Sequence, residues 1–417
     1  MNILIITASF PYPLNSGGNQ AQFNMIDKLR SRVNFSLLYF RKYSFLEDEK
    51  ILKDLWPEVR FYPIDIPILP KKNCLQKAVN KLWKLIYKPQ KRVLNIEYEF
   101  STLHDRSGEF INTEFIEFVA KIITYDKIDI VQTEFYPMQD VVYCLPDTVK
   151  KLYVQHEIRF VRNNLERQQL SSQNYYLDYV CNKLKSEEIA AINNYNGVIS
   201  LTDVDKCKMQ MAGISVPIYT SPAAVSPIQK IGDDKFIFNG TISFVGSGNH
   251  PPNKDGLRWF IENIWDEILL KQPDLKFQII GKWDDAFTYD ITSNHKNIIF
   301  TGFVEDLSDT LKNTIMVVPL RIGSGMRMKI LDAVNCHIPF VTTTIGVEGL
   351  LFKHDKDCYI ADTVEMFVDS LIRLTNDRGK QNELIINAKK IYDENYSVDV
   401  LTDRRLGIYK QILNEEK

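Results

Sequence analysis

The feature that most constrains this chain is a repeated alternation of strand-like and helical patterns. "NILIITAS" opens the chain, and "NFSLLYF", "IDIVQTE", "KLYVQHE" and "NGVISLT" follow it. Helical spacing recurs between them, at 21–30, 109–125 and 175–194. A strand that is apolar on both faces must be covered on both faces, and helical crossovers are what parallel neighbours require. The rhythm loosens across 213–240, where Pro, Gly and Ser cluster as in a linker, and then starts again. The second series is "TISFVG", "LKFQIIG", "NIIFTG", "TIMVVP", "PFVTT" and "CYIA", with helices expected at 255–270, 304–312, 327–334, 363–375 and 380–392. The expected fold class is α/β: two Rossmann-like, doubly wound domains at 1–225 and 235–396. A length of 417 residues accommodates both. Ligands of such sheets bind beyond the C-terminal strand ends, so two facing domains place the site in the cleft between them.

Charge and composition remove several classes of function. A formal net charge of −2 gives no case for a nucleic-acid partner. No apolar run approaches the ~20 residues of a spanning helix. "MNILIITASFPYP" lacks the charged start and long apolar core of a signal peptide and reads as a first strand. Six cysteines without C-x-x-C spacing argue against zinc or a disulfide framework and for reduced thiols in a cytoplasmic protein. One segment departs from the pattern: 71–92 carries eight basic residues and no acidic one, with Val79, Leu82, Trp83, Leu85 and Ile86 largely on one helical side. It reads either as a peripheral contact with an anionic inner membrane face or as a helix that buries its apolar side and solvates its lysines.

Two glycine loops carry the chemistry. In "PLRIGSGMRMK", Gly323 and Gly325 let backbone approach a ligand, and a helix N-terminus follows with Arg327 and Lys329 beside it. That combination suits a diphosphate; a glycine turn before a helix with solvated basic residues is the alternative. In "SGGNQ", Gly17 and Gly18 again lie between a strand and a helix. Neither loop is G-x-G-x-x-G, and no G-x-x-x-x-G-K-[ST] occurs, which disfavours dinucleotide and P-loop sites. Asp203 and Asp205 form a D-x-D, but a strand precedes them and a helix follows, so Thr202 or Asp203 as N-cap explains them without a metal. "WDDAF" at Trp283 reads as a loop.

In order along the chain, "PYPLNSGGNQAQ", "ISFVGSGNHPPNKDGLRWF" and "VVPLRIGSGMRMKILDAVNCHIPFVTTTIGVEGL" resemble retaining glycosyltransferases of the GT-B fold, the family 4 group within the glycosyl transferases group 1 superfamily. The resemblance spans nearly the whole chain and is strongest across 240–396. "AKKIYDENYSVDV" resembles the group's C-terminal helix, which crosses back to the first domain, here at about 397–417.

The resemblance implies a nucleotide-sugar donor held mainly by the second domain. Lys329 would contact its diphosphate, with Arg327 and Arg321 at the family's other basic positions and Gly323, Ser324, Gly325 and Met326 forming the loop. Gly17 and Gly18 would reach phosphate or sugar from the other side. Asp332 stands where the family has the second Glu of Glu-x7-Glu, a ribose ligand; the first would fall at Ser324 and is missing. Glu348, with Gly349 and Leu350, matches a carboxylate loop near the donor. The family's Arg in the earlier loop is Ser247 here, with Lys254 near its Lys place and Asn249 and Asn253 as polar substitutes. His156 would touch donor sugar or phosphate at the cleft edge; Glu157 follows it.

What the resemblance implies as activity is retaining transfer to a glycan or lipid-linked acceptor in surface polysaccharide synthesis, with no cofactor and no metal. An epimerase or sugar-phosphate synthase on the same fold would instead release a small product. A non-catalytic sugar-nucleotide binder would bind without turnover.

Overall fold

The computed structural model describes residues 1–14, 16–41, 46–65, 111–168, 174–225 and 236–415. The basic segment 71–92 lies outside the described residues. Two parallel sheets organise the chain. The first contains β1 (Asn2–Thr7), β2 (Asn34–Arg41), β3 (Arg60–Asp65), β4 (Ile130–Glu134), β5 (Lys150–Gln155), β6 (Gly197–Ser200) and β7 (Ile218–Thr220), in the order β3-β2-β1-β4-β5-β6-β7. The second contains β8 (Thr241–Val245), β9 (Lys276–Ile280), β10 (Ile298–Gly302), β11 (Ile315–Val318), β12 (Phe340–Thr342) and β13 (Tyr359–Ile360), in the order β10-β9-β8-β11-β12-β13. The expected α/β class is what the structure has.

Burial explains the strand composition. Ile3, Leu4, Ile5 and Ile6 of β1 are all essentially inaccessible, because helices cover both faces of the sheet. β11 is the counterpart in the second sheet, with Ile315, Met316, Val317 and Val318 fully buried. Strand order reverses direction beside β1 and beside β8. The loops after β1, β4, β8 and β11 therefore open at the two topological switch points.

Several elements differ from their sequence expectation. The helix expected to begin at 255 begins at Pro251, where proline suits the first turn, and it runs through a π-turn at Ile261–Trp265 into Asp266–Lys271. "WDDAF" is a loop only up to Asp284, whose carboxylate caps the helix Asp285–Asn294. The linker expected from 213 still contains β7, which pairs with β6. Thr202 is the N-cap of the helix Asp203–Met211: its Oγ accepts from Asp205 N at 3.0 Å.

The last helix, Val398–Asn414, packs against the helix Gly17–Leu29 of the first domain. Arg405 Nε donates to Ser221 Oγ at 3.0 Å, and Tyr409 Oη donates to Gln132 Oε1 at 2.7 Å, both in buried surroundings.

Candidate active site

The loop after β11 and the helix Met328–Asn335 form the centre of the site. Arg327 is 7 % exposed, and its Nη1 donates to the carbonyls of Ser324 and Gly325, folding the loop around the guanidinium. Its Nη2 is buried without a hydrogen-bond partner. Burial lowers its pKa, against the opposing charges of Glu157, Asp205 and Glu348. Lys329 Nζ donates to Asn253 Oδ1 at 2.7 Å and lies 4.4 Å from the centre of the Phe244 ring. Desolvation, then the Arg327 charge, pulls the ammonium down to about 7. One turn on, burial pushes the Asp332 carboxyl up to about 7 although Lys329 opposes the shift. An enclosed cleft that strains positive charge in this way favours an anionic ligand.

The first domain approaches this loop closely. Gly325 has φ +77°, and a Cβ there would lie 2.2 Å from the His156 carbonyl oxygen. Its glycine is thus required by the neighbouring backbone, beyond any need of a ligand. Ser324 Oγ accepts from Ile158 N at 2.8 Å and donates to Ile158 O at 3.2 Å. The position of the family's missing Glu is committed to a bond between domains. Gly17 opens its helix against Met328, the first residue of the other helix: a Cβ on Gly17 would lie 3.1 Å from Met328 Cγ. Two helix N-termini, one from each domain, therefore meet here. Gly18 lies against the Phe135 ring.

His156 stacks on Phe135 with ring centres 4.1 Å apart, and its Nε2 lies 2.6 Å from Glu134 Oε2. Burial opposes ionisation of Glu134, but the His156 bond and charge outweigh it and hold the carboxyl below its ordinary range. An ionised carboxylate only accepts, so His156 Nε2 carries the proton. Gln132 Nε2 donates to Glu134 Oε1 at 2.5 Å and Tyr409 donates to Gln132, so the last helix supports the histidine through two intermediates.

The remaining expected residues divide. Ser247 Oγ donates to Lys282 O at 3.3 Å, and its carbonyl accepts from Asn253 Nδ2 at 3.0 Å; Asn249 is exposed on the same turn. Met326 and Leu350 are buried in the apolar core. Arg321 instead pairs with Asp255, at 3.1 and 2.5 Å, over the Trp259 ring, and Lys254 lies 4.0 Å from Asp284. Glu348 receives two 2.8 Å bonds from Lys208 of the first domain, and Gly349 packs on Thr202. That pairing joins residues far apart in sequence, and no local pattern signals it. His250 also went unnoticed at the sequence level: its loop reads as a glycine turn, yet Asn253 ties that turn to Lys329. Among the described residues, no three His, Cys, Asp or Glu side chains gather as a metal-ion site.

Two facing Rossmann-like domains with an interdomain site define the GT-B architecture. Residues 239–377, in the second domain, match the family model described as "Glycosyl transferases group 1". The chain is 26 % identical over 201 residues to an uncharacterised 44.6 kDa protein in the cps region of Klebsiella pneumoniae, covering 46 % of this chain and 50 % of that one. It is 25 % identical over 115 residues to the Escherichia coli UDP-Gal:alpha-D-GlcNAc-diphosphoundecaprenol alpha-1,3-galactosyltransferase, covering 25 % of this chain and 29 % of that one. The matches thus span half or less of these relatives' length. The structure of Anabaena HepE in complex with UDP superposes with a TM-score of 0.66 at 12 % identity, over 99 % of this chain and 100 % of that one. At that identity the likeness concerns the fold. Among the described residues, no helix is long and apolar enough to cross a membrane.

Proposed function

We propose that this chain is a glycosyltransferase that moves a sugar, with retention of anomeric configuration, from a UDP-sugar to a glycan or lipid-linked acceptor in surface polysaccharide synthesis. The observation that carries the reading is the meeting of Arg327, Lys329 and two helix N-termini in one interdomain cleft. As the glycosidic bond to the diphosphate breaks, negative charge grows on the leaving oxygen. Lys329 and the helix N–H groups oppose that charge where water is largely excluded, and Arg327 holds the loop that positions them. We read this electrostatic set as sufficient without a metal. His156, fixed by Glu134 and Phe135, faces the donor from the first domain, and Asp332 meets the ribose. Retention by attack from the leaving-group face requires no protein nucleophile, which suits a cleft built of cations and helix ends.

UDP is the nucleotide named with two of the similar proteins above, one a galactosyltransferase and one a UDP complex. Acceptor binding falls to the first domain, as does peripheral membrane contact through 71–92. A thermal-shift screen of UDP, GDP, ADP, dTDP and CMP, with and without magnesium, tests the donor reading. Stabilisation by UDP that does not need magnesium is expected. No stabilisation by any nucleotide overturns it.

A further inference from the structure

We propose that Glu157 and His250 form the sugar-recognition face of the donor site and select an uncharged, hydroxyl-rich hexose over a hexuronate. The proposal rests on the reading of the cleft as a UDP-sugar site and names the sugar class it takes.

Two residues from different domains flank the same stretch of loop. On the first-domain side, a Cβ on Gly325 would lie 3.6 Å from Glu157 Cα, so the Glu157 backbone rests against the glycine loop beside Arg327. On the second-domain side, His250 caps the helix Pro251–Phe260, and its carbonyl accepts from Asn253 N at 2.9 Å. Asn253 in turn accepts from Lys329 Nζ, which ties the His250 turn to the same cation. The turn that carries His250 thus lies beside Lys329, and after burial the charges of Glu157, Arg162, Lys329 and Arg327 act on its ring.

Both side chains have hydrogen-bonding capacity to spare. Glu157 uses Oε2 for Arg162 Nη1 at 2.8 Å, while its Oε1 makes no hydrogen bond among the described residues. The His250 ring likewise has no hydrogen-bond partner among them, although it is accessible from solvent. Burial opposes the Glu157 charge, but the charge and hydrogen bond of Arg162 and the charge of Arg159 favour the ionised carboxylate. Desolvation brings His250 down to about 4, so at neutral pH it offers one N–H and one lone pair.

An ionised carboxylate accepts from sugar hydroxyls, and a neutral imidazole both donates to and accepts from them. A hexose presenting adjacent hydroxyls satisfies both. A hexuronate brings a second carboxylate toward Glu157. Arg162 does not compensate, because it is buried and already bonds Glu157 and Glu166, the latter at 2.9 Å. Ser324, bonded to Ile158, leaves this recognition to the Glu157–His250 pair.

Calorimetry on the full chain tests the proposal with UDP, UDP-glucose, UDP-galactose and UDP-glucuronate. In wild type, UDP-glucose or UDP-galactose is expected to bind at least about tenfold more tightly than UDP-glucuronate. Glu157→Gln keeps the shape, removes the charge and brings that ratio below about threefold. His250→Ala, on an exposed turn, removes most of the affinity gained on going from UDP to the UDP-hexose. An unchanged hexose-to-uronate ratio in Glu157→Gln, or an unchanged hexose increment in His250→Ala, overturns this inference while UDP binding still supports the donor site. Absence of UDP binding in wild type overturns both.

Discussion

Replacing Lys329 by Met keeps the length of the side chain and removes its charge, which separates electrostatics from packing in the proposed diphosphate site. The ammonium is pulled down to about 7 by desolvation and by Arg327. A diphosphate diester arriving beside it raises that value again, so binding takes up a proton whenever the free protein has released it. The sign follows directly. Below about pH 7 the cation is already present and affinity is level; above it, restoring the proton costs about 1.4 kcal/mol per pH unit. Between about pH 7 and about pH 8.5, affinity for UDP-glucose should fall about fifteenfold. Asp332, raised to about 7 by burial, gains its negative charge over the same range and pushes in the same direction, while its attraction for Lys329 makes the two titrate as a pair. UDP-glucose is the appropriate ligand because its diphosphate has no ionisation in this window. The assay is calorimetry in two buffers of different ionisation enthalpy, which counts protons taken up. Lys329→Met should bind about 2–4 kcal/mol more weakly at about pH 6.5 and lose most of the slope. A wild-type affinity that is flat across the range, or an equal slope in the Met variant, refutes the reasoning.

Three further outcomes are expected. Gly325→Ala should separate the domains, because the positive φ costs about 1–2 kcal/mol and the new methyl meets the His156 carbonyl; a wild-type melting temperature and unchanged small-angle scattering would contradict this. Tyr409→Phe should cost about 1–3 kcal/mol in denaturant unfolding by leaving Gln132 Oε1 without its buried donor, and it should lower transfer through Glu134 and His156. Neutralising Lys77, Lys81, Lys84 and Lys88 should reduce co-sedimentation with anionic liposomes, and undiminished sedimentation would return 71–92 to its purely structural reading.

Sequence legibility followed the range of the forces involved. β1 and β11 are evident because of the unbroken apolar runs Ile3–Ile6 and Ile315–Val318, a pattern that local reading detects. β3 escaped: "RFYPID" includes a proline and charged ends, which suit the edge of the sheet where it lies. The helix Asp285–Asn294 was hidden because its Asp-rich start, which caps it, resembles a turn. At the site, Arg327 and Lys329 were legible from a glycine loop entering a helix. The bonds of Ser324 to Ile158 and of Lys208 to Glu348 were not, since each joins residues from opposite sheets. His250 emerges only through the fold of the second domain, where Asn253 links its turn to Lys329.

The return of the last helix has a consequence for building hybrids between related chains. Exchanging the second domain for that of a relative takes two junctions, because the last helix, Val398–Asn414, packs back on the first domain. A single-crossover hybrid would import a foreign Tyr409 position along with the donor domain, and the partner of Gln132 would change with it. Recombination near the start of the last helix preserves the support of His156 and exchanges the second domain separately.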